Sequence, residues 1–207
     1  MNVSIIGGGN IGTLMAADAA KIGNRVTIYT NNPSQWKSQI DVLDNEKNLM
    51  FSGKIYKATS DLREAVREAQ IIFITYPAHT FEKLAEDLNR VIDDSRMIGI
   101  IPGSGGAEYA FRKLIEKGCI FFGFQRVHAI ARLEEKGSSV CMLGRKSDIS
   151  IGSIPDNKGS EIGAIIEEMF QLPCNVLPNY LCLTLTPSNP VLHTSRLYKC
   201  LKIIKKE

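Results

Sequence analysis

Three glycines near the start of the chain have the spacing of a loop that brings backbone N–H groups up to a phosphate. Gly7, Gly9 and Gly12 fit the pattern Gly-x-Gly-x-x-Gly, with Asn10 and Ile11 between the last two glycines. The loop follows an apolar run and precedes an alanine-rich stretch, so it is expected to join a strand to a helix. A helix N-terminus offers unpaired N–H groups and a partial positive charge, so these five residues are predicted to bind the diphosphate of a dinucleotide.

The end of the next strand-like run indicates which dinucleotide binds. An NAD site usually places Asp or Glu about 20 residues beyond the glycine loop, where the carboxylate holds the ribose 2′-hydroxyl. Here Thr30, Asn31 and Ser34 occupy that region without an acid. Their side chains could donate hydrogen bonds to a 2′-phosphate, and Lys37 adds a positive charge nearby. The sequence therefore favours NADP over NAD as the cofactor.

Two later loops are expected to reach the same crevice, because ligands of parallel sheets bind at the carboxyl ends of the strands. Pro77 and Ala78 follow the third strand-like run, and Gly103 and Gly105 follow the fourth. These four residues are predicted to line the cofactor site. For the second loop, an ordinary turn before a helix is the alternative interpretation.

Three histidines could exchange a proton with a substrate beside such a cofactor. His79 lies at a strand end, where a simple helix start is the favoured interpretation. His128 lies between Arg126 and Arg132, whose guanidinium groups could bind substrate carboxylates or form surface salt bridges. We predict that Arg126 binds substrate. The spacing of His193 fits either a catalytic or a surface position.

The elements that would position these residues alternate between strand and helix, which is typical of an α/β fold with a doubly wound, mostly parallel sheet. Strands are predicted at residues 3–6, 25–29, 71–75, 97–101 and 119–123, with later ones at 139–143 and 149–154. Helices are predicted at residues 11–22, 62–69, 81–92 and 105–117, with a further apolar stripe at 162–170. Turn signals within residues 40–60 predict an inserted β-meander.

Composition argues against several classes of partner. The 25 Lys+Arg and 22 Asp+Glu give a net charge of +3, too small and dispersed to indicate nucleic-acid binding. Apolar runs span only a few residues, whereas a transmembrane helix needs about 20. The five cysteines lack zinc-like spacing, so we expect reduced thiols that behave as small core hydrophobes, and no metal. The first residues lack a basic signal-like stretch, so a cytoplasmic location is expected.

Three segments together resemble the opine dehydrogenase family, the octopine/nopaline dehydrogenase group. They are residues 7–12, residues 102–108 and the stretch from Asn189 to His193, whose Asn-Pro-x-x-His pattern is the most specific. The resemblance implies a Rossmann NAD(P)-binding domain over residues 1–190, followed by a helical substrate domain. It also implies condensation of an amino acid with a 2-oxo acid and reduction of the imine. His193 would then be the general acid/base, and Asn189 would bind substrate.

The chain departs from that family near its end. It stops 14 residues after His193, so residues 191–207 are expected to form only the start of a truncated helical domain, and weak activity is expected. The apolar stripe of Leu197, Leu201 and Ile204 would then be uncovered and could support a homodimer. Two alternatives remain open: a relative of ketopantoate reductases or 3-hydroxyacid dehydrogenases, and a non-catalytic dinucleotide-binding module.

Overall fold

The computed structural model describes residues 1–185, 191 and 194–198. The strands of this part of the chain are β1 (Asn2–Ile6), β2 (Arg25–Tyr29), β3 (Gln39–Leu43), β4 (Leu49–Lys54), β5 (Lys57–Thr59), β6 (Ile71–Ile74), β7 (Met97–Ile100), β8 (Ile120–Phe124), β9 (Ala129–Glu135), β10 (Ser139–Arg145), β11 (Ile149–Ile154) and β12 (Cys174–Val176). Its α-helices are α1 (Asn10–Lys21), α2 (Leu62–Val66), α3 (Phe81–Val91), α4 (Ala107–Ala110), α5 (Arg112–Glu116), α6 (Gly159–Phe170) and α7 (Tyr180–Thr184).

The larger sheet confirms the predicted doubly wound architecture. Its eight strands follow the order β12-β11-β8-β7-β6-β1-β2-β5. The strands from β8 to β5 run parallel, whereas β11 pairs antiparallel with β8. The winding direction reverses between β1 and β6, and this reversal is where sheets of this kind open a crevice for a ligand.

A second, four-stranded sheet has the order β4-β3-β10-β9, and it corrects the predicted meander. Strands β3 and β4 form the expected antiparallel hairpin, but β5 leaves it and pairs in parallel with β2. Without β5, the outer edge of β2 would present unpaired backbone groups. The second sheet is completed by the β9–β10 hairpin, and β9 was not predicted at all.

Two further predictions need correction. Residues 105–117 form two short helices rather than one, because the chain bends at Phe111. The side chain of Phe111 is fully buried, with its ring centroid 5.5 Å from that of Phe121. Cys119 and Cys141 are core residues as expected, whereas Cys182 is exposed on the outer side of α7.

Helix α1 lies between the two sheets. Its residues 12–20 are all buried, although only one face of the helix contacts the larger sheet. Strand β4 covers the opposite face closely: a Cβ on Gly53 would lie 2.4 Å from the carbonyl oxygen of Ala17. Small side chains on both elements therefore allow the second sheet to approach the helix backbone.

Candidate functional site

The glycine loop turns from β1 into α1 as the sequence predicts. Gly7 has a φ of +123°, a conformation that side chains rarely adopt, and its N–H donates to the carbonyl of Tyr29 at 3.2 Å. A Cβ on Gly12 would lie only 1.9 Å from the carbonyl oxygen of Gly7. Both positions therefore require glycine for the strand and the helix to meet.

The beginning of α1 leaves backbone donors open to a ligand. Gly9 is the N-cap residue, no side chain caps the helix, and a Cβ on Gly9 would meet no atom within 4 Å. The helical ladder begins where Thr13 N–H donates to the Gly9 carbonyl at 2.9 Å. The N–H groups of Asn10, Ile11 and Gly12 precede that bond and have no partner within the helix. This arrangement fits the diphosphate of a dinucleotide.

The side chain of Asn10 connects this helix to the second sheet. Its Oδ1 accepts a hydrogen bond from the backbone N–H of Leu133 on β9, at 2.8 Å. The two residues are 123 positions apart, and β9 was not predicted, so this contact could not be predicted from local spacing. The predicted cofactor residue Asn10 is therefore held from the side opposite the larger sheet.

The loop after β2 holds the residues predicted to select the cofactor. Thr30 is buried and its N–H donates to the carbonyl of Thr59 at 2.9 Å, while Asn31 and Ser34 are exposed. This leaves the two exposed side chains free to contact a ligand at the carboxyl edge of the sheet. Lys37 reaches instead toward Glu135, with 3.4 Å between Nζ and the carboxylate. Lys37 therefore forms an ion pair with Glu135, a residue that was not part of the predicted cofactor site.

Trp36 in the same loop packs against the glycine loop. A Cβ on Gly8 would lie 2.5 Å from Cζ2 of the indole. The neighbouring backbone is supported by the β9–β10 turn, where Lys37 N–H donates to the Gly137 carbonyl at 2.9 Å. A Cβ on Gly137 would lie 2.3 Å from the carbonyl oxygen of Gln35. The second sheet therefore contacts both helix α1 and the loop after β2.

The loop after β6 brings Tyr76 to the crevice, and although Tyr76 belongs to a loop predicted to reach it, this residue was not among the predicted site residues. The Tyr76 ring lies beside the glycine loop, with Cδ1 3.1 Å from the position of a Cβ on Gly7. Partial burial raises the pKa of the Tyr76 hydroxyl above its ordinary value. Pro77 and Ala78 follow it and are exposed. An aromatic residue directly after a buried strand was the available signal.

The two predicted glycines of the loop after β7 differ in their surroundings: one is packed against other residues and the other is exposed. Gly103 donates its N–H to the Phe124 carbonyl at 2.7 Å, and a Cβ there would lie 2.3 Å from Cδ2 of Leu183. Gly103 thus lets α7 pack on the sheet. Gly105 is exposed, with Thr184 as the nearest neighbour of a Cβ, at 3.7 Å.

Two of the three candidate proton donors lie in the described part of the chain, and their surroundings differ. His79 is exposed in a short 3₁₀ turn, as the simpler interpretation expected. His128 is fully buried, with its Nε2 2.9 Å from a carboxylate oxygen of Asp18. The other oxygen of Asp18 accepts from Arg145 at 3.0 Å. His193 lies outside the described residues.

The predicted substrate residues have different surroundings. Arg126 is exposed at the carboxyl end of β8, beside a hollow of about 290 Å³ that Lys146 and Asp148 also line. Arg132 is exposed on β9 and donates to the carbonyl of the preceding residue at 2.9 Å. Asn189 lies outside the described residues. Arg126 therefore lies at the carboxyl edge of the sheet, which is where ligands of parallel sheets bind.

Three further sequence expectations concern metals, membrane-spanning helices and dimerisation. Within residues 1–185, 191 and 194–198, no group of His, Cys, Asp and Glu has a geometry that could hold a metal ion. In the same part, no helix is long and apolar enough to cross a bilayer. Leu197 is 62% exposed, and Leu201 and Ile204 lie outside the described residues. Of the three residues of the predicted apolar stripe, Leu197 is therefore the one that the structure describes.

The sequence of this chain is similar to those of a known protein family and of several curated proteins. Residues 2–116 match the family described as NAD-dependent glycerol-3-phosphate dehydrogenase N-terminus. The NAD(P)+ glycerol-3-phosphate dehydrogenase of Thermoanaerobacter sp. is 27% identical over 99 residues, 47% of this chain and 30% of that protein. The octopine dehydrogenase of Mizuhopecten yessoensis is 25% identical over 169 residues, 74% of this chain and 42% of that protein. The chain thus spans less than half the length of these curated relatives.

Solved structures show the same fold. Octopine dehydrogenase with NADH and L-arginine aligns with a TM-score of 0.78 at 20% identity, over 88% of this chain and 50% of that one. A ketopantoate reductase from Ralstonia eutropha aligns with a TM-score of 0.65 at 16% identity, over 86% of this chain and 56% of that one. These likenesses confirm the Rossmann fold, and they are shared between opine dehydrogenases and hydroxyl-group dehydrogenases.

Proposed function

Because this chain belongs to the family of the NAD-dependent glycerol-3-phosphate dehydrogenase N-terminal domain, we propose that it binds NAD(P) as the cofactor domain of a dehydrogenase. The observation that carries the proposal is the beginning of α1. Three backbone N–H groups without helical partners lie there, beneath open space over Gly9, where the winding of the sheet reverses. A diphosphate needs these donors and this access.

The chain's own residues divide the work of holding the cofactor. The backbone N–H groups of Asn10, Ile11 and Gly12 would hold the diphosphate, and Asn31 and Ser34 would donate hydrogen bonds to a ribose 2′-phosphate. The absence of an acid at the end of β2 supports NADP over NAD, because a carboxylate there would repel the 2′-phosphate. When bound, the nicotinamide ring supplies or accepts the hydride.

For the substrate, we propose the opine type of reaction, in which an amino acid and a 2-oxo acid give a secondary amine. The match to an octopine dehydrogenase over 74% of the chain supports it, as does the Asn-Pro-x-x-His pattern ending at His193. His193 would exchange the proton of the amine nitrogen. Asn189 and Arg126 would bind the substrate carboxylates, with Arg126 placed at the carboxyl end of β8.

A second candidate is oxidation of a hydroxyl group, and the family match over residues 2–116 favours it. In that case the oxidised partner would be a phosphorylated ketone or a 2-oxo acid with no amine involved. Such an enzyme would consume NADPH with dihydroxyacetone phosphate or ketopantoate alone. The opine type would require both an amino acid and a 2-oxo acid.

The test of the cofactor proposal is a calorimetric titration of the purified chain with NADPH and NADH in parallel. We expect NADPH to bind at least tenfold more tightly, equal to about 1.4 kcal/mol. A preference for NADH would keep the domain assignment and overturn the reading of residues 30–34. Binding of neither dinucleotide would contradict the proposed function.

The substrate proposals separate in an assay of NADPH oxidation with a panel of substrates. Turnover that requires an amino acid together with pyruvate or another 2-oxo acid supports the opine type. Turnover with dihydroxyacetone phosphate or ketopantoate alone supports the second candidate. Replacement of His193 by Ala should abolish the opine reaction while leaving the affinity for NADPH unchanged.

A further inference from the structure

The hydrogen bond between Asn10 and Leu133 fixes the orientation of the Asn10 amide. Leu133 offers an N–H, so the atom that receives it must be the carbonyl oxygen Oδ1. The amide nitrogen Nδ2 then remains as a donor, and no hydrogen bond from it is found among the described residues. The side chain therefore presents its acceptor to the second sheet and keeps its donor available.

This orientation matters because Asn10 is the first residue of α1. Asn side chains near a helix start commonly fold back and accept from N–H groups of the first turn. Such a bond would occupy a donor that a diphosphate needs. The N-cap residue Gly9 has no side chain that could cap the helix, and the N–H of Leu133 holds Oδ1 of Asn10 at 2.8 Å, so neither side chain occupies the N–H groups of the first turn.

The anchor on β9 is itself well held. Leu133 is paired with Val140 on β10, and its own N–H goes to Asn10. Eight residues further along α1, Asp18 contacts His128 and Arg145, which flank the same hairpin. At 1.5 Å per residue the two polar contacts are about 12 Å apart along the helix axis. The hairpin therefore fixes both the position and the rotation of α1.

We propose that Asn10 is a positioning residue of the dinucleotide site. Its Oδ1 ties the first turn of α1 to the β9–β10 hairpin and thereby keeps the N–H groups of that turn free for the diphosphate. The hairpin lies beyond the residues 2–116 that match the family, so this tie adds a part of the chain that the match does not cover. The inference rests on the proposed binding of NAD(P).

The test compares Asn10→Ala with Asn10→Asp and with the control Asn45→Ala. Asn45 is exposed on the β3–β4 turn, so its replacement removes the same amide far from β9. Two quantities are measured: the Kd for NADPH, and the hydrogen-exchange rate of the Leu133 amide by NMR. Asn10→Ala should weaken binding roughly five- to tenfold, the scale of one hydrogen bond, and should speed exchange at Leu133. Asn10→Asp retains an acceptor and should keep Leu133 protected, whereas Asn45→Ala should change neither quantity.

A destabilising replacement on another helix separates positioning from general destabilisation. Leu88→Ala weakens the core beneath α3, and its folded fraction should bind NADPH with the unaltered Kd. The inference is overturned if Asn10→Ala binds NADPH normally, or if Leu133 exchanges at the same rate with and without the Asn10 amide. Failure of the unaltered chain to bind any dinucleotide would overturn the proposed function as well, so the two failures are distinguishable.

Discussion

Helices α1 and α3 both pack on the larger sheet, yet they meet the rest of the molecule in different ways. In α3 the buried residues are Phe81, Leu84, Ala85 and Leu88, all on one face, and charged residues cover the other. In α1 every residue from 12 to 20 is buried, because the second sheet covers the outer face. The helix that begins at the candidate phosphate site is thus held from two sides.

The difference also appears in the ion pairs. On α3, Asp87 is 3.2 Å from Arg90, whose side chain is 71% exposed. On α1, Asp18 is 5% exposed and contacts both Arg145 and His128. Exposed pairs contribute little to stability, whereas an unpaired buried charge is costly. The contacts of α1 are therefore the ones on which its position depends.

The largest expected effect comes from enlarging a residue between α1 and the second sheet. Ala17→Leu should lower the free energy of unfolding by about 3 kcal/mol or prevent folding, because Gly53 of β4 lies against the Ala17 backbone. The matched change on the exposed face of α3, Glu86→Leu, should cost less than about 0.5 kcal/mol. Urea unfolding measures both. Equal costs would show that the second sheet does not confine α1.

The next effect comes from removing one partner of each ion pair. Arg145→Ala should cost about 3 kcal/mol, because it leaves the Asp18 carboxylate buried with one partner fewer. Arg90→Ala should cost about 0.3 kcal/mol, and that small cost should vanish at high salt. Denaturant unfolding at low and high ionic strength distinguishes them. A salt-sensitive effect at Arg145 would contradict the burial of the α1 contacts.

A third expectation concerns ligand binding. Gly12→Ala places a methyl group where the carbonyl oxygen of Gly7 lies, so the start of α1 must move away from β1. We expect NADPH affinity to fall about 100-fold, equal to roughly 2.7 kcal/mol. Gly144→Ala on β10 is the control, since its Cβ would meet nothing within 4 Å. An unchanged Kd in Gly12→Ala would place the cofactor elsewhere.

The smallest expected effect is a change in the pKa of Lys83 on α3. The Asp87 carboxylate accepts a hydrogen bond from Lys83 and raises the pKa of that amine above its ordinary 10.5. The raised pKa means that this contact stabilises the fold below the ordinary pKa and is lost as pH rises through the folded value. Asp87→Asn should lower the pKa of Lys83, as NMR titration would show. An unchanged pKa of Lys83 in this variant would show that the Asp87 carboxylate does not stabilise the charged amine.

The comparison of the two helices also explains what the sequence could predict. The stripe from Phe81 to Leu88 has helical spacing, so the start and the buried face of α3 were predicted correctly, and the predicted end at residue 92 lies one residue beyond Val91. The existence of α1 was predicted from its alanines and the glycine loop. Its second buried face was not, because small residues buried on all sides show no periodicity.

The site divides in the same way. Gly7 and Gly12 were predicted because the turn and the close approach restrict those positions to glycine. The contact of Asn10 with Leu133 and the support of Lys37 by Gly137 depend on a hairpin about a hundred residues away, and local spacing carries no trace of such pairing. The neighbouring arginines made His128 a candidate for proton exchange with a substrate, but the fold buries it against Asp18.

The central claim is that the first turn of α1 binds the diphosphate of NAD(P). The most direct measurement is the change in backbone amide NMR signals when NADPH is added to the isotope-labelled chain. The largest shifts are expected at Asn10, Ile11 and Gly12, with none at the last turn of α3, which leads into β7 at the opposite edge of the sheet. Unshifted amides at residues 10–12 in a chain saturated with NADPH would contradict the account.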